Sequence, residues 1–208
     1  MSSVSSSEER IRFRVYYDFA STLCYVAHLV LSDVDSEVEA LGVELEWRPI
    51  DLTMAAPWDR GDSFTEEVRG AVHQTALGLG IDVEMPDPWL DSRPASQVAL
   101  AIRSPAAERR WRDAVFEEFF VARRRALTPP LAALARELTG ADPPLPGGDD
   151  YPEVEACTRD AFVLGITGVP TILLDNWAFG GVHDGPTMVS ALSQLADRYR
   201  ELGASIVN

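Results

Sequence analysis

The sequence predicts an α/β domain that is interrupted by a block of helices. Short segments of alternating apolar residues occur near the start of the chain, and segments with helical spacing follow them. The last third combines a helix, two short strands and another helix. The predicted order is therefore β-α-β, then helices, then α-β-β-α, an order typical of a mixed sheet covered by helices.

The first segment predicts a βαβ unit. Apolar side chains alternate over residues 11–19, which indicates a strand. Ser21 offers capping chemistry for an amphipathic helix over residues 22–41, and Gly42 is the glycine expected after its last turn. Alternation returns over residues 43–47, so we expect a second strand parallel to the first.

The middle of the chain predicts a helical insertion. Residues 63–138 hold four segments with helical spacing and no convincing strand. The stretch 140–150, GADPPLPGGDD, is rich in turn residues. We therefore predict an inserted helical subdomain over residues 63–149, while residues 11–62 and 150–208 form the domain that it interrupts.

The last segment predicts a hairpin between two helices. Cys157 lies on the apolar face of the first helix, which favours a core position for its side chain. The apolar run 165–175 and the short strand 177–179 flank the turn residue Asn176, a hairpin pattern. The final helix follows Pro186, and its apolar residues are predicted to face inward: Met188, Leu192, Leu195, Tyr199 and Leu202.

Composition excludes several kinds of function. The chain has 33 acidic and 18 basic residues, a formal net charge of −15, and every basic residue is Arg. Without Lys, neither Schiff-base chemistry nor a phosphate-binding P-loop lysine is available. The negative charge argues against nucleic acid or an anionic membrane surface as a partner, since both would be repelled.

The absence of targeting signals and the low cysteine count predict a cytoplasmic protein. No run of about 18 apolar residues is present, so no transmembrane helix is expected. Residues 1–14 lack the apolar stretch of a secretory signal, and residues 1–10 are predicted to be a disordered tail. Two cysteines in a reducing compartment argue against a structural disulfide. The three histidines and two cysteines lack zinc-ligand spacing, so we predict no metal.

Several short motifs carry a family resemblance. They are YDFASTLCY at residues 17–25, EWRPIDL at 46–52, SRPA at 92–95, VFEEFF at 115–120 and GITGVPT at 165–171. With the order of elements, they resemble the thioredoxin fold of the DsbA-like branch, with a helical insertion. That branch includes FrnE-type oxidoreductases, kappa-class glutathione transferases and 2-hydroxychromene-2-carboxylate isomerases. The resemblance implies that the Val169–Pro170 bond is cis and faces the active site.

The first position of the active-site motif departs from the redox members of that branch. They carry Cys-x-x-Cys at the helix start, whereas this chain has Ser21 first and retains sulfur only at Cys24. Serine cannot form the mixed disulfide through which exchange proceeds, so dithiol redox cycling is excluded. The kappa-class transferases and the isomerases also place Ser there. This implies that Ser21 hydrogen-bonds the sulfur of glutathione or of another small thiol such as mycothiol; the alternative is that Ser21 only caps the helix.

The resemblance therefore implies a thiol-dependent isomerase or transferase that acts on a small electrophilic molecule, with a setting in secondary metabolism as one option. Two alternatives stay open. One is a monothiol disulfide oxidoreductase or isomerase that uses Cys24, activated by His28 one helical turn away. The other is a non-catalytic protein that binds a small molecule or a partner, and a homodimer is also left open.

Further candidate site residues complete the prediction. Ser21 and Cys24 are the candidate catalytic residues. The candidate cofactor-binding residues are Val169, Pro170 and Asp184, and the candidate substrate-binding residues are Tyr17, His28, Trp58 and His183. Core packing is the competing interpretation for the two aromatic residues and for His28, and loop solvation is the competing interpretation for His183 and Asp184.

Overall fold

The structure is a computed structural model, and it describes residues 10–144 and 150–206. Almost all of the predicted N-terminal tail and residues 145–149 of the turn-rich stretch lie outside the described residues.

The elements follow the predicted order. They are β1 (Ile11–Tyr17), α1 (Thr22–Asp33), α2 (Asp35–Ala40), β2 (Val43–Pro49), a 3₁₀ turn (Leu52–Met54), α3 (Glu66–Leu77), α4 (Arg93–Ala101), α5 (Pro105–Phe116), a π-helical turn (Glu117–Val121), α6 (Pro129–Thr139), α7 (Pro152–Val163), β3 (Thr171–Leu174), β4 (Trp177–Gly180) and α8 (Gly185–Ile206). Helices α3 to α6 separate the two parts of the sheet along the chain.

The four strands form one mixed sheet in the order β2-β1-β3-β4. Strand β1 is parallel to β2, with Ile11 opposite Val43, as the βαβ pattern predicts. Strand β3 is antiparallel to β1 and pairs with β4 as a hairpin. Because Tyr16 lies opposite Thr171, the carboxyl end of β1 adjoins the residues that precede β3. This edge of the sheet positions the candidate site.

The prediction of a single helix over residues 22–41 is wrong, because the helix is interrupted at Val34. The backbone of Val34 leaves the helical region (φ −107°, ψ 17°), and α2 begins after it. Beyond the break, Asp35 accepts two hydrogen bonds from Arg109 of α5, at 2.8 and 2.7 Å. A long-range contact of this kind can override a continuous helical pattern. Gly42 follows with φ +70°, the left-handed conformation expected of a glycine after a helix.

Helix α8 extends beyond the core that it covers. Met188 and Leu192 are buried against the sheet, whereas Tyr199 and Leu202 are 44% and 49% exposed. The predicted inward orientation of Tyr199 and Leu202 is therefore wrong. Ala196 is buried and residues 197–202 are all exposed, so the part of α8 that covers the core ends at Ala196.

A buried polar cluster joins the insertion to the sheet. Arg112 of α5 is 3% exposed, lies 4.0 Å over the ring of Trp47 and forms an ion pair with Glu108. The Arg112 Nε–H also donates to His28 Nδ1 at 3.4 Å. These contacts connect α5 with β2 and α1, which fixes the helical block next to the start of α1.

Among the described residues, no helix is both long and apolar enough to cross a membrane.

Candidate active site

Ser21 lies between the end of β1 and the first turn of α1. Its extended backbone (φ −83°, ψ 117°) makes it the N-cap of α1, and its hydroxyl accepts the Cys24 N–H at 3.4 Å. The residue is 6% exposed. The amide N–H groups of Thr22 and Leu23 have no hydrogen-bond partner within the described part of the chain, as expected in a first helical turn. The capping role expected of Ser21 is confirmed.

The Cys24 thiol is enclosed by the core. Its side chain has no exposed surface, and its sulfur accepts the N–H of Asp18 at 3.5 Å. Burial raises its pKa to about 12, against the smaller opposing effects of the Ser21 hydroxyl and the Asp18 N–H. At neutral pH the group is therefore a protonated, inaccessible thiol.

His28 is held by α5 and not by Cys24. Its Nδ1 accepts from Arg112, and its Nε2 lies 3.2 Å from Asp113. Burial, the largest effect, lowers the pKa of His28. Its ring also stacks on Phe116 at 5.1 Å. The predicted contact of His28 with substrate is wrong, because its side chain is buried between α1 and the helical insertion.

Two other predicted substrate contacts lie in aromatic clusters. Tyr17 has no exposed surface and packs edge-on against Phe19 at 4.9 Å, so its predicted contact with substrate is corrected to a position in the core. Trp58 is half-buried and packs against Phe64 and Trp89, with ring centroids 5.4 and 5.8 Å apart. Core packing is thus the outcome for Tyr17, while the role of Trp58 in substrate binding stays a prediction.

Asp18 is a buried carboxylate that the sequence prediction left without a role. It has no exposed surface. Its Oδ1 accepts the Ala20 N–H at 2.8 Å and the Ser92 hydroxyl at 2.6 Å, and its Oδ2 accepts the Leu52 N–H at 2.9 Å. Burial raises its pKa to about 6, and the nearby charge of Asp51 adds to that rise against these hydrogen bonds. Asp18 therefore ties the loop before Ser21 to the 3₁₀ turn and to the N-terminus of α4.

A second buried carboxylate braces the chain after β2. Asp51 is 3% exposed and caps the 3₁₀ turn by accepting the Thr53 N–H at 3.1 Å. Its other oxygen pairs with Arg60, whose Nε lies 3.6 Å from Asp91. In the sequence, each acid directly follows an apolar residue near the end of an alternating segment, Tyr17 for Asp18 and Ile50 for Asp51.

The Val169–Pro170 peptide bond is cis. The pairing of β1 with β3 places it next to the carboxyl end of β1, and Val169 packs against the apolar cluster that contains Cys24. The Pro170 carbonyl accepts the Gly181 N–H at 3.0 Å. Neither the N–H nor the C=O of Val169 is hydrogen-bonded to another described residue.

The loop after β4 reaches Pro170 through Gly181, and it carries His183 and Asp184. The His183 ring stacks on Phe179 at 4.7 Å, and its Nε2 lies 3.2 Å from the Gly180 carbonyl. Asp184 is exposed, and its carboxylate accepts the Thr187 N–H at 2.8 Å. The Thr187 hydroxyl, and after it this N–H, lower the pKa of Asp184. Both side chains have local partners, and their contacts with a ligand stay predictions.

Metal-ligating side chains do not converge near Ser21. Over residues 10–144 and 150–206, no group of three or more His, Cys, Asp or Glu side chains could hold a metal ion. The polar groups at this edge are the Ser21 hydroxyl, amides of the first turn of α1, and the N–H and C=O of Val169, and these amides and Val169 groups have no hydrogen-bond partner among the described residues.

Comparison with known proteins decides the family. A family model described as a DSBA-like thioredoxin domain matches residues 12–193. The chain belongs to this family. No curated protein matches the chain.

Solved structures share the fold of this DsbA-like chain. A 2-hydroxychromene-2-carboxylate isomerase is 19% identical, with a TM-score of 0.63 over 92% of this chain and 98% of that one. A probable DsbA oxidoreductase from Streptomyces coelicolor is 20% identical, with a TM-score of 0.63 over 88% of each chain. The cytosolic disulfide reductase DsbM from Pseudomonas aeruginosa, solved with GSH, is 17% identical, with a TM-score of 0.53 over 91% and 99%. At these identities the likeness extends to the fold alone.

Proposed function

We propose that the chain is a thiol-dependent isomerase or transferase acting on a small electrophilic molecule, with glutathione or mycothiol as the thiol. The observation that carries the proposal is the position of Ser21. It caps the N-terminus of α1, just after the strand whose end adjoins cis-Pro170, while Cys24 is enclosed by the core. A bound thiol supplies the nucleophilic sulfur that this motif lacks.

The chain's own groups stabilise negative charge at that point. The Ser21 hydroxyl can donate a hydrogen bond, and the unpaired N–H groups of Thr22 and Leu23 present the positive end of the helix dipole. Charge-assisted hydrogen bonds of this kind are about twice as strong as neutral ones. They lower the pKa of a thiol placed there. The unpaired N–H and C=O of Val169 would hold the peptide-like backbone of such a thiol.

The same observations argue against redox chemistry at Cys24. A monothiol oxidoreductase needs a thiolate that a partner disulfide can reach. The Cys24 sulfur has neither exposed surface nor an ordinary pKa. A cytoplasmic location belongs to the proposal, because low-molecular-weight thiols are kept reduced there.

Steady-state assays of the purified chain with glutathione or mycothiol and an isomerisable enone test the proposal. Ser21→Ala should lower the thiol-dependent rate about 10²-fold, the typical cost of removing one donor from a developing anion. Ser104→Ala is the matched control. Ser104 caps α5 in the same way, accepting the Ala107 N–H at 3.5 Å, but it lies on another helix. Both variants should lose about 1 kcal/mol of stability, and only the first should lose activity.

Thiolate absorbance gives a second readout. Glutathione bound to the wild-type chain should ionise at a lower pH than glutathione bound to Ser21→Ala. Turnover that needs no added thiol, or equal rates for the Ser21 and Ser104 variants, would overturn the proposal. Thiol binding without turnover of any electrophile would favour the non-catalytic alternative.

A further inference from the structure

An arginine-lined cavity lies in the helical insertion, and Ser21 is not among the residues that line it. It has a volume of about 220 Å³, and four guanidinium groups line it, from Arg69, Arg123, Arg124 and Arg125. Such a cluster is unexpected in a chain with a net charge of −15. At moderate salt, charges act over about 10 Å, so the local excess of arginine decides which ions enter.

The acids in the cavity leave part of this positive charge uncompensated. Glu84 pairs with Arg123 at 3.2 Å, and Asp87 pairs with Arg69 at 3.0 Å. Arg125 donates one hydrogen bond to the Asp87 carbonyl, at 2.8 Å. Among the described residues, the Arg124 side chain has no ion pair and no hydrogen bond. Two of the arginines that line the cavity, Arg124 and Arg125, therefore have no carboxylate partner within the part of the chain that the structure describes.

The floor of the cavity is apolar. Leu90, Phe119 and Phe120 are buried and line it. Phe120 also stacks on Tyr25 of α1, with ring centroids 4.8 Å apart and planes 3° apart. A ligand on this floor would contact an aromatic face while its charged end met the arginines.

The backbone around the cavity is unusual in two places. The turn Glu117–Val121 is π-helical, a rare form that is often found at functional sites. Arg123 has φ +54°, a conformation that residues other than glycine seldom adopt. Such conformations persist where the surrounding structure imposes them, and they cluster at binding sites. Together they allow three consecutive arginines to line one cavity.

We propose that this cavity binds the anionic end of a small molecule whose adjoining part is aromatic or apolar. The cavity volume equals that of about seven water molecules. A cavity of this size is too small for a whole drug-sized ligand, but it can hold a carboxylate attached to one ring. Arg124 and Arg125 would bind the anion, and Phe119, Phe120 and Leu90 would contact the ring. The site is independent of the thiol chemistry proposed for Ser21.

Benzoate is the probe, with benzamide as its neutral analogue and acetate as an anion without the ring. Amide NMR titrations of the isotope-labelled full chain at neutral pH would measure binding. Benzoate should shift the amides of residues 119–125 in a saturable manner, and benzamide and acetate should each bind about tenfold more weakly. Arg124→Gln should weaken benzoate binding about tenfold.

Arg103→Gln is the matched control. Arg103 is also an exposed arginine of the insertion without an ion pair among the described residues, and it lines a different cavity. Its loss should leave benzoate binding unchanged. Equal binding of benzamide, an equal loss in the Arg103 variant, or no saturable shift in residues 119–125 would overturn the proposal. None of these outcomes depends on enzyme activity.

Discussion

Replacing Asp18 by Asn should change how the stability of the chain depends on pH. Burial raises the pKa of this carboxyl from 3.8 to about 6. The folded state therefore keeps the proton to a higher pH than the unfolded state does. Stability from this group is fully present below pH 3.8 and is lost as pH rises through about 6. The complete loss is about 3 kcal/mol, since each pKa unit corresponds to about 1.4 kcal/mol.

Part of this loss of stability occurs at pH values where the chain carries a net negative charge. The sequence pI is about 4.5, so denaturation is best measured between about pH 5 and pH 7. With the two pKa values above, about 1.3 kcal/mol of the loss falls in this interval. Asp18→Asn also carries a pH-independent cost of about 1–3 kcal/mol, because its amide would present a donor to the Leu52 N–H.

Urea denaturation followed by tryptophan fluorescence measures the difference. The stability of the wild-type chain relative to Asp18→Asn should fall by about 1.3 kcal/mol as pH rises through this range. Asp33→Asn is the control, since Asp33 is exposed and its side chain has no ion pair or hydrogen bond among the described residues. It should show no comparable change. A stability difference that is constant with pH, or one that grows as pH rises, would refute the reasoning.

Further substitutions test the packing. Alkylating reagents should modify Cys24 only after unfolding, which mass spectrometry would show, because burial raises its pKa to about 12. Gly185→Ala should lower stability by about 1–3 kcal/mol, since the new methyl would lie 2.7 Å from a side chain. Gly70→Ala meets nothing within 4 Å and should stabilise α3 by about 1 kcal/mol; thermal unfolding measures both. Arg112→Leu should cost about 3–5 kcal/mol, because it leaves Glu108 buried without its cation. Adding Glu108→Leu should recover much of that loss, and failure to recover would refute the pairing.

Local patterns predicted most of the fold. Alternation over residues 11–19 and 43–47 identified two strands whose pairing is parallel, and the run before Asn176 identified the hairpin. These elements are readable because each depends on a short stretch of sequence. The break at Val34 was missed, since no glycine or proline marks it and the contact of Asp35 with Arg109 lies far away along the chain.

The candidate site was predicted less completely, for a physical reason. The motif and its spacing identified Ser21, which follows β1, and Pro170, which precedes the strand that pairs with β1. The burial of Asp18 depends on Ser92, which is 74 positions away, so no local pattern reveals it. Tyr17 and His28 look like ligand contacts in the sequence, but the aromatic and polar side chains of the insertion enclose them.

The position of β1 at the centre of the sheet has a consequence for folding. One of its neighbours, β2, follows it closely along the chain, whereas the other, β3, comes only after the whole helical insertion. The length of this loop adds little to the free energy of folding, because the entropy cost of closing a loop grows only with the logarithm of its length. Its effect is on rate, since distant strand pairings form slowly. We expect β1, α1 and β2 to associate first and the β3–β4 hairpin to join them once the insertion has compacted. The edge that carries Ser21 and Pro170 is therefore completed late in folding.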